Sequence, residues 1–137
     1  MSLRLPAVLL ALGAAAALFM GGCGGDASAG EAAVAIRYSH FEPEVITATA
    51  GDPITITLQN GDPIEHEWIV GTAAVHERHR NGTEPFHDEI PTEVTIPSLS
   101  TRVTTVTFAA PGEYQYICHL PGHAAYGMVG TVRVTED

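Results

Sequence analysis

The sequence predicts an all-β fold, a Greek-key β-sandwich of about eight strands. From residue 34 onward, short runs of strand-forming residues follow one another, and Gly and Pro turns separate them at regular spacing. Residues 54–59 alternate strictly between apolar and polar side chains, as a strand does when one face lies in the core and the other in water. No internal repeat interrupts this pattern.

The chain begins with an export signal, predicted over residues 1–22. One positive charge at Arg4 precedes an apolar stretch of secretory length, and Gly21-Gly22 leads to Cys23. Small residues directly before a cysteine resemble a bacterial lipobox, in which the cysteine is acylated, although Met20 stands where Leu is more usual. We therefore expect a lipoprotein anchored through Cys23 to the outer face of the cytoplasmic membrane, at the cell surface or in the periplasm. An uncleaved membrane anchor is the alternative.

The segment that follows, residues 23–31, consists mainly of small and polar residues and is predicted to be a flexible tether. Residues 32–137 remain for the folded part, and a little over a hundred residues are enough for one domain with its own core. We expect this domain to be a monomer.

The strands of the domain are predicted, in chain order, around residues 34–39, 44–49, 54–59, 65–71, 93–96, 102–108, 114–118 and 129–135. A long connection lies between the fourth and fifth strands. It begins with a short predicted helix, Ala73 to Arg80, with Thr72 as N-cap and Asn81-Gly82 as the stop. An acidic loop, Thr83 to Pro91, follows the helix. Connections of this length are usually functional or mobile.

The charge of the chain is strongly negative, with a formal value of −10. Cleavage before Cys23 would remove Arg4 and leave five arginines against sixteen acidic residues, a charge of −11. A surface of this kind repels nucleic acid and acidic lipid, so nucleic-acid binding is excluded. It favours a cationic protein partner.

The sequence contains two cysteines, Cys23 and Cys118. With Cys23 assigned to the lipid, Cys118 has no partner for the structural disulfide that an exported protein would normally form. An isolated cysteine is often a small buried core residue. Metal ligation is the other explanation, because a coordinated thiol is held deprotonated.

The segment from Cys118 to Met128 favours metal ligation. Cys118, His123 and Met128 follow one another at equal steps of five residues and bring a thiolate, an imidazole and a thioether to one loop. These ligand types suit copper, and a blue-copper centre combines two His, one Cys and a weak axial Met. His66 lies about fifty residues earlier on a predicted strand. If that strand runs beside the strand ending at Cys118, His66 completes the set.

These residues resemble the cupredoxins, the small blue copper proteins. The resemblance spans about residues 32–134, and its most specific part is the segment Tyr116–His123 with Gly127-Met128. The ligand spacing is most similar to the rusticyanin and auracyanin branches, and plastocyanin has a shorter Cys-to-His step. Gly112-Glu113-Tyr114 is similar to the family's tyrosine corner. Glu67 departs from the family pattern, because many cupredoxins have Asn or Ser directly after the first His ligand.

The resemblance implies a single type 1 copper ion, with His66, Cys118 and His123 in the trigonal plane and Met128 as the axial ligand. It implies a one-electron carrier that cycles between Cu(I) and Cu(II), and not an enzyme. The competing interpretation is a copper-binding protein for storage, sensing or delivery of the metal.

A carrier needs a place where electrons enter and leave. We expect the ring edge of His123 to reach the surface within a small apolar patch, which would be the electron port. The donor and acceptor would be redox proteins with a cationic docking face, such as a basic cytochrome domain. The predicted port residues are Leu120, Pro121, His123, Ala124, Ala125 and Tyr126.

Other histidines lie outside this motif. His76 and His79, three residues apart on the predicted helix, can share a face and could form a second metal site with His87. The alternative is a solvated acidic loop that happens to be rich in histidine. His119 is expected at the surface, because successive strand residues point to opposite faces and Cys118 points inward.

Overall fold

The structure, a computed structural model, describes residues 30–82 and 90–136, which contain nine strands, one α-helix and one 3-10 helix. The prediction of an all-β sandwich with one short helix is confirmed, and the additional strand is the three-residue β2. The elements are β1 (Gly30–Arg37), β2 (His40–Glu42), β3 (Val45–Thr49), β4 (Pro53–Asn60), β5 (His66–Gly71), α1 (Ala73–Arg80), β6 (Glu93–Ile96), β7 (Thr101–Thr107), β8 (Gly112–Ile117), the 3-10 helix (Ala124–Tyr126) and β9 (Val129–Thr135).

The predicted signal and lipidation site lie outside the described residues, as does nearly all of the predicted tether. β1 begins at Gly30, two residues before the start of the domain predicted from the sequence. Within the described ranges, no helix is both long enough and apolar enough to cross a membrane.

The strands form two sheets, in the orders β2-β1-β4-β7 and β3-β9-β8-β5-β6. β1 pairs with β4 in parallel and β3 pairs with β9 in parallel, whereas the remaining pairs are antiparallel. The core lies between the sheets. Ile54, Ile56 and Leu58 of β4 are buried there, as their alternation with polar residues predicts. Each such side chain contributes about 1.5–3 kcal/mol to folding.

Tyr116 and Gly130 form the tightest contact in the core. They are directly opposed on β8 and β9, and a Cβ atom on Gly130 would overlap the Tyr116 ring. The ring has little room to move, because its hydroxyl donates to the Pro43 carbonyl at 2.7 Å and the ring makes a T-shaped contact with Phe41. Gly130 therefore leaves the space that the buried tyrosine occupies.

Gly130→Ala is expected to lower the free energy of unfolding by about 2–3 kcal/mol, the upper part of the usual cost of overpacking a core. Urea unfolding of the variant measures this loss. Gly30→Ala is the matched control, because the added Cβ would make only ordinary contacts, 3.6 Å or more from Ile54. Equal stability of the two variants would show that the Tyr116 ring is not fixed.

Sheet topology brings the chain segments of the predicted ligands to one end of the sandwich. β5 pairs antiparallel with β8, so His66, the first residue of β5, lies beside the segment that follows the end of β8. Cys118 comes directly after β8, and Met128 directly before β9. The predicted tyrosine corner is present, since the Tyr114 hydroxyl donates to the Ala110 carbonyl at 3.0 Å.

The insertion after β5 begins with α1, whose bounds match the prediction. Thr72 occupies the N-cap in an extended conformation, although its side chain makes no capping hydrogen bond. Gly82 adopts a positive φ of 63° directly after the C-cap, Asn81, where glycine is favoured. His76 is the buried residue of the helix. Residues 83–89 of the predicted acidic loop lie outside the described residues.

Candidate metal centre

His66, Cys118 and His123 converge at one end of the sandwich, as the sequence predicts. Their ligand atoms all lie within 4.8 Å of one another, and within the described ranges no other three His, Cys, Asp or Glu residues do so. The two Nδ1 atoms are 3.2 Å apart, and the Cys118 Sγ lies 3.3 Å from the Nδ1 of His123. A thiol and two imidazoles therefore face a common point.

Backbone hydrogen bonds hold the ligand loop in a closed shape. The amide of His123 donates to the Leu120 carbonyl at 3.0 Å, and the amide of Met128 donates to the His123 carbonyl at 3.1 Å. The amide of Cys118 donates to the Met128 carbonyl at 3.2 Å. Gly127 turns the chain between these bonds with a φ of 95°. The main chains of three predicted ligands are thereby connected directly to one another.

Burial separates the ligands into two kinds. The side chains of His66, Cys118 and Met128 are fully buried, whereas His123 is partly exposed. Its neighbours in the predicted port lie at the surface, and Tyr126 is 74% exposed. One ligand thus connects a buried centre with the surface.

The chemistry of this donor set fits copper. Two imidazoles and a thiolate with a thioether nearby are the ligands of a type 1 site, and soft sulfur ligands favour Cu(I). Without metal, burial raises the pKa of the Cys118 thiol, while the backbone N–H of Glu67, 3.4 Å from Sγ, acts in the opposite direction. A bound cation would remove the thiol proton.

Asp62 supports the metal centre by holding the ring of His66, a role that the sequence pattern did not predict. The Nε2 of His66 donates to the Asp62 carboxylate at 2.9 Å, which fixes the tautomer that leaves Nδ1 available to a metal. The carboxylate also accepts hydrogen bonds from the amides of Tyr38 and Ser39, at 2.7 and 2.8 Å. Burial raises the pKa of Asp62, but these hydrogen bonds outweigh it and hold the pKa below its ordinary value.

Asn60 fixes the position of Asp62. Its Oδ1 accepts a hydrogen bond from the Asp62 amide at 2.9 Å. Its Nδ2 lies 2.8–3.2 Å from the carbonyl oxygens of Ile64, Ile96 and Pro97. These hydrogen bonds fix the turn after β4 beside His66. The sequence signal was an Asp four residues before the ligand, next to a proline, which by itself indicates only a turn.

Glu67 stands where many cupredoxins have Asn or Ser, yet it still joins the segment of His66 to the segment of Cys118. Its backbone amide donates to the Cys118 sulfur, so the connection uses a main-chain group that every residue except proline provides. The identity of the side chain therefore does not decide this hydrogen bond.

His76, His79 and His119 form a second histidine group, and the expectation that His119 lies at the surface is met only in part. His119 is partly buried, and its Nε2 lies 3.0 Å from the Nδ1 of His76. β8 ends at Ile117, so strand alternation does not set the direction of His119. His79 places its ring 5.1 Å from that of His119. His76 and His79 therefore share one neighbourhood as predicted, whereas His87 lies outside the described residues.

These buried histidines make the stability of the metal-free protein depend on pH. Burial and neighbouring histidines lower the pKa of His119 to about 4, and burial lowers that of His76. Below the unfolded value of about 6.5, the unfolded chain binds protons that the folded protein does not, so stability falls with the pH, and the contribution of His119 levels off near pH 4.

We expect the metal-free protein to lose about 1 kcal/mol between pH 7 and pH 5 from His119, after allowance for its partial exposure. Urea unfolding at both pH values measures the loss. His119→Gln should reduce the pH dependence, and an equal dependence in this variant would contradict the assignment.

Comparison with known proteins agrees with this centre. Residues 7–131 match the family described as the cupredoxin-like domain. Among curated proteins, the chain is 29% identical to the copper-resistant cuproprotein CopI of Rubrivivax gelatinosus, over 80% of this chain and 70% of the relative. It is 25% identical to CopI of Pseudomonas aeruginosa, over 69% and 70% of the two chains.

Solved structures share the fold. Reduced auracyanin of Roseiflexus castenholzii superposes with a TM-score of 0.65 at 22% identity, over 77% of this chain and 96% of that one. Auracyanin A of Chloroflexus aurantiacus, a blue copper protein, gives a TM-score of 0.62 at 25% identity, over 77% and 98%. The chain belongs to the cupredoxin-like family, and His66, Cys118, His123 and Met128 form its type 1-like copper centre.

Proposed function

We propose that this protein is a one-electron carrier that works outside the cytoplasmic membrane. The observation that supports the proposal is the difference in burial among the four ligands. Three are fully buried, and His123 alone among them reaches the surface. Copper would supply the Cu(I)/Cu(II) couple. The blue copper protein auracyanin A, at 25% identity, has the same fold.

The protein's own contribution is to hold the ligands still. Main-chain hydrogen bonds join Cys118, His123 and Met128, and the Asp62 carboxylate holds the ring of His66. Ligands restrained in this way move little when the copper gains or loses an electron, because several hydrogen bonds oppose each displacement. A small rearrangement on electron transfer is the property that a carrier needs.

The buried ligands also argue against an enzyme. A substrate that reached the metal would have to displace Met128 or pass the partly exposed ring of His123. We therefore assign no substrate and no catalytic residue to this centre. The donor and acceptor would be redox proteins, and export with lipidation at Cys23 would hold the carrier near the membrane.

The proposed electron port is the surface around His123, where Pro121, Ala124, Ala125 and Tyr126 are exposed and Leu120 is half-buried. Ala124→Arg places a positive charge in this patch and is expected to slow electron transfer to a cationic redox partner about tenfold, because like charges repel and desolvating a charge at a docking face opposes close approach. Stopped-flow kinetics with a basic cytochrome c measures the rate.

Ala109→Arg is the matched control. Ala109 is also exposed but lies before β8, at the opposite end from the ligands, so the same charge should leave the rate nearly unchanged. The wild-type rate should fall as salt is added, because the net charge of −10 attracts the partner over about 10 Å. Equal rates for the two variants would place the port elsewhere.

A second candidate function is copper storage, sensing or delivery. The two relatives named above are called copper-resistant cuproproteins, and the second histidine group offers further ligands in this chain. A delivery protein should lose Cu(I) to a competing chelator during redox cycling and should depend on His76 and His79. A carrier should keep its copper and tolerate their replacement.

A further inference from the structure

Three turns at the copper end of the sandwich expose large apolar side chains. Tyr38 follows β1, Ile64 lies between β4 and β5, and Leu99 lies between β6 and β7. Their exposed fractions are 89%, 47% and 71%. We call these three residues the second apolar surface. None of them belongs to the electron port proposed around His123.

Asp62 joins the three turns to one another. Its carboxylate accepts a hydrogen bond from the amide of Tyr38 at 2.7 Å, and its carbonyl accepts one from the amide of Leu99 at 3.0 Å. Ile64 belongs to the same turn as Asp62. The second apolar surface is therefore continuous, and it lies beside the copper centre because the same carboxylate holds the ring of His66.

Tyr38 and Leu99 adopt a backbone conformation that large side chains disfavour. Their φ angles are 54° and 52°, and Ser39 has 57°; across residues 30–82 and 90–136 no other non-glycine residue has a positive φ. Tyr38-Ser39 is the two-residue turn between β1 and β2, where two positive φ angles favour Asn-Gly. Because both large side chains are exposed, packing in the core does not explain them, whereas contact with another molecule does.

Two charges of opposite sign flank the second apolar surface. Arg37 directly precedes Tyr38, Glu65 directly follows Ile64, and both charged residues are exposed. Neither forms an ion pair with any residue that the structure describes. A partner with a purely cationic face would be repelled by Arg37, and a purely anionic one by Glu65. A face that carries both signs is complementary to a copy of itself.

We propose that two copies of this protein pair through the second apolar surface about a two-fold axis. Contacts in such a pair are reciprocal, so Arg37 of each copy faces Glu65 of the partner subunit, and the apolar side chains pack between these charges. The net charge of −10 opposes association, but physiological salt limits this repulsion to about 8 Å, so the charges at the contact decide. This pairing departs from the monomer that we expect from the sequence.

The pair would bring two copper ends together. Under the proposed electron-carrier function, electrons would then pass from one copy to the other without a further partner. This consequence rests on the proposed function, whereas the pairing itself does not, because it uses none of the copper ligands.

The first test measures association of the purified, copper-loaded protein by sedimentation equilibrium at physiological salt. Over about a hundredfold range of concentration, we expect the wild type to pass from monomer to dimer. Glu65→Arg changes the net charge from −10 to −8 (−10 + 2), which lessens the general repulsion, but it places arginines together at the contact. We therefore expect dimerisation to weaken at least about tenfold. The double variant R37E/E65R keeps the charge of −10 and should restore the dimer.

The second test separates contact from folding. Tyr38→Asn introduces a residue that suits the left-handed turn, so the urea midpoint should rise, whereas dimerisation should weaken at least about tenfold because the apolar ring is lost. Val103→Thr is the control. Val103 is 62% exposed but lies on β7, outside the second apolar surface, so this loss of apolar surface should leave the dimer unchanged.

Several results would overturn the proposal. They are a wild type that stays monomeric over the whole range, a Glu65→Arg variant that pairs more tightly than the wild type, and a double variant that does not recover. An equal loss of dimer in Val103→Thr would place the contact at the edge strand β7. None of these results bears on the electron-carrier function, because the visible band of the copper centre reports on that separately.

Discussion

Replacing Cys118 by serine is expected to abolish the intense visible absorption of the Cu(II)-loaded protein. That absorption requires transfer of charge from a thiolate to copper, and Cys118 is the one cysteine in the described residues. Serine keeps the size of the side chain but supplies a hard oxygen in place of a soft sulfur. Affinity for Cu(I) should fall by more than the roughly 10–100-fold that loss of an outer hydrogen bond costs.

Visible spectra and competition with a Cu(I) chelator measure both effects. Met128→Gln is the informative control, because glutamine also serves as a weak axial ligand in type 1 centres. This variant should keep an intense band, although its wavelength and reduction potential are expected to change. An intense band in Cys118→Ser would show that another residue provides the charge-transfer ligand.

Asp62→Asn is expected to raise the reduction potential and to weaken Cu(II) binding. The carboxylate accepts the Nε2 proton of His66, so its negative charge makes the imidazole a stronger donor and favours the more highly charged Cu(II). Asparagine keeps the shape and removes the charge. A selective 10–100-fold loss of Cu(II) affinity corresponds to a rise of about 60–120 mV for a one-electron couple.

The same substitution should destabilise the metal-free protein by about 1–3 kcal/mol. Asp62 accepts three hydrogen bonds, from Tyr38, Ser39 and His66, and an amide nitrogen in place of one oxygen cannot accept them all. Spectroelectrochemistry measures the potential, and urea unfolding measures the stability.

Glu65→Gln is the control for this prediction. It removes the same charge one residue from His66, but Glu65 is exposed, so solvent and salt should screen its effect on the copper. Equal shifts in the two variants would mean that overall charge, and not the hydrogen bond to His66, sets the potential.

The sequence was sufficient to predict the sandwich and three of the four copper ligands, because both depend on short-range patterns. Alternation in β4 identifies the core face, and equal spacing of Cys118, His123 and Met128 identifies the ligand loop. His66 required one further assumption, that its strand pairs with β8, and the structure confirms this pairing.

Residues that act through long-range contacts could not be predicted in this way. Asp62 looks like an ordinary turn residue until the fold places it behind His66, with the β1–β2 turn packed on its carboxylate. His119 was assigned to the surface by strand alternation, which ends at Ile117. Its neighbours His76 and His79 come from the inserted helix α1, and no local pattern relates α1 to the end of β8.

In the proposed function, the copper centre carries electrons and does not release its metal. The most direct test is to load the protein with Cu(II), reduce and reoxidise it repeatedly in the presence of a strong Cu(I) chelator, and record the visible spectrum and the bound copper after each cycle. We predict an intense band that bleaches on reduction and returns fully on oxidation, with one copper retained. A band that fails to return because the chelator has taken the Cu(I) would contradict the electron-carrier function and support copper delivery.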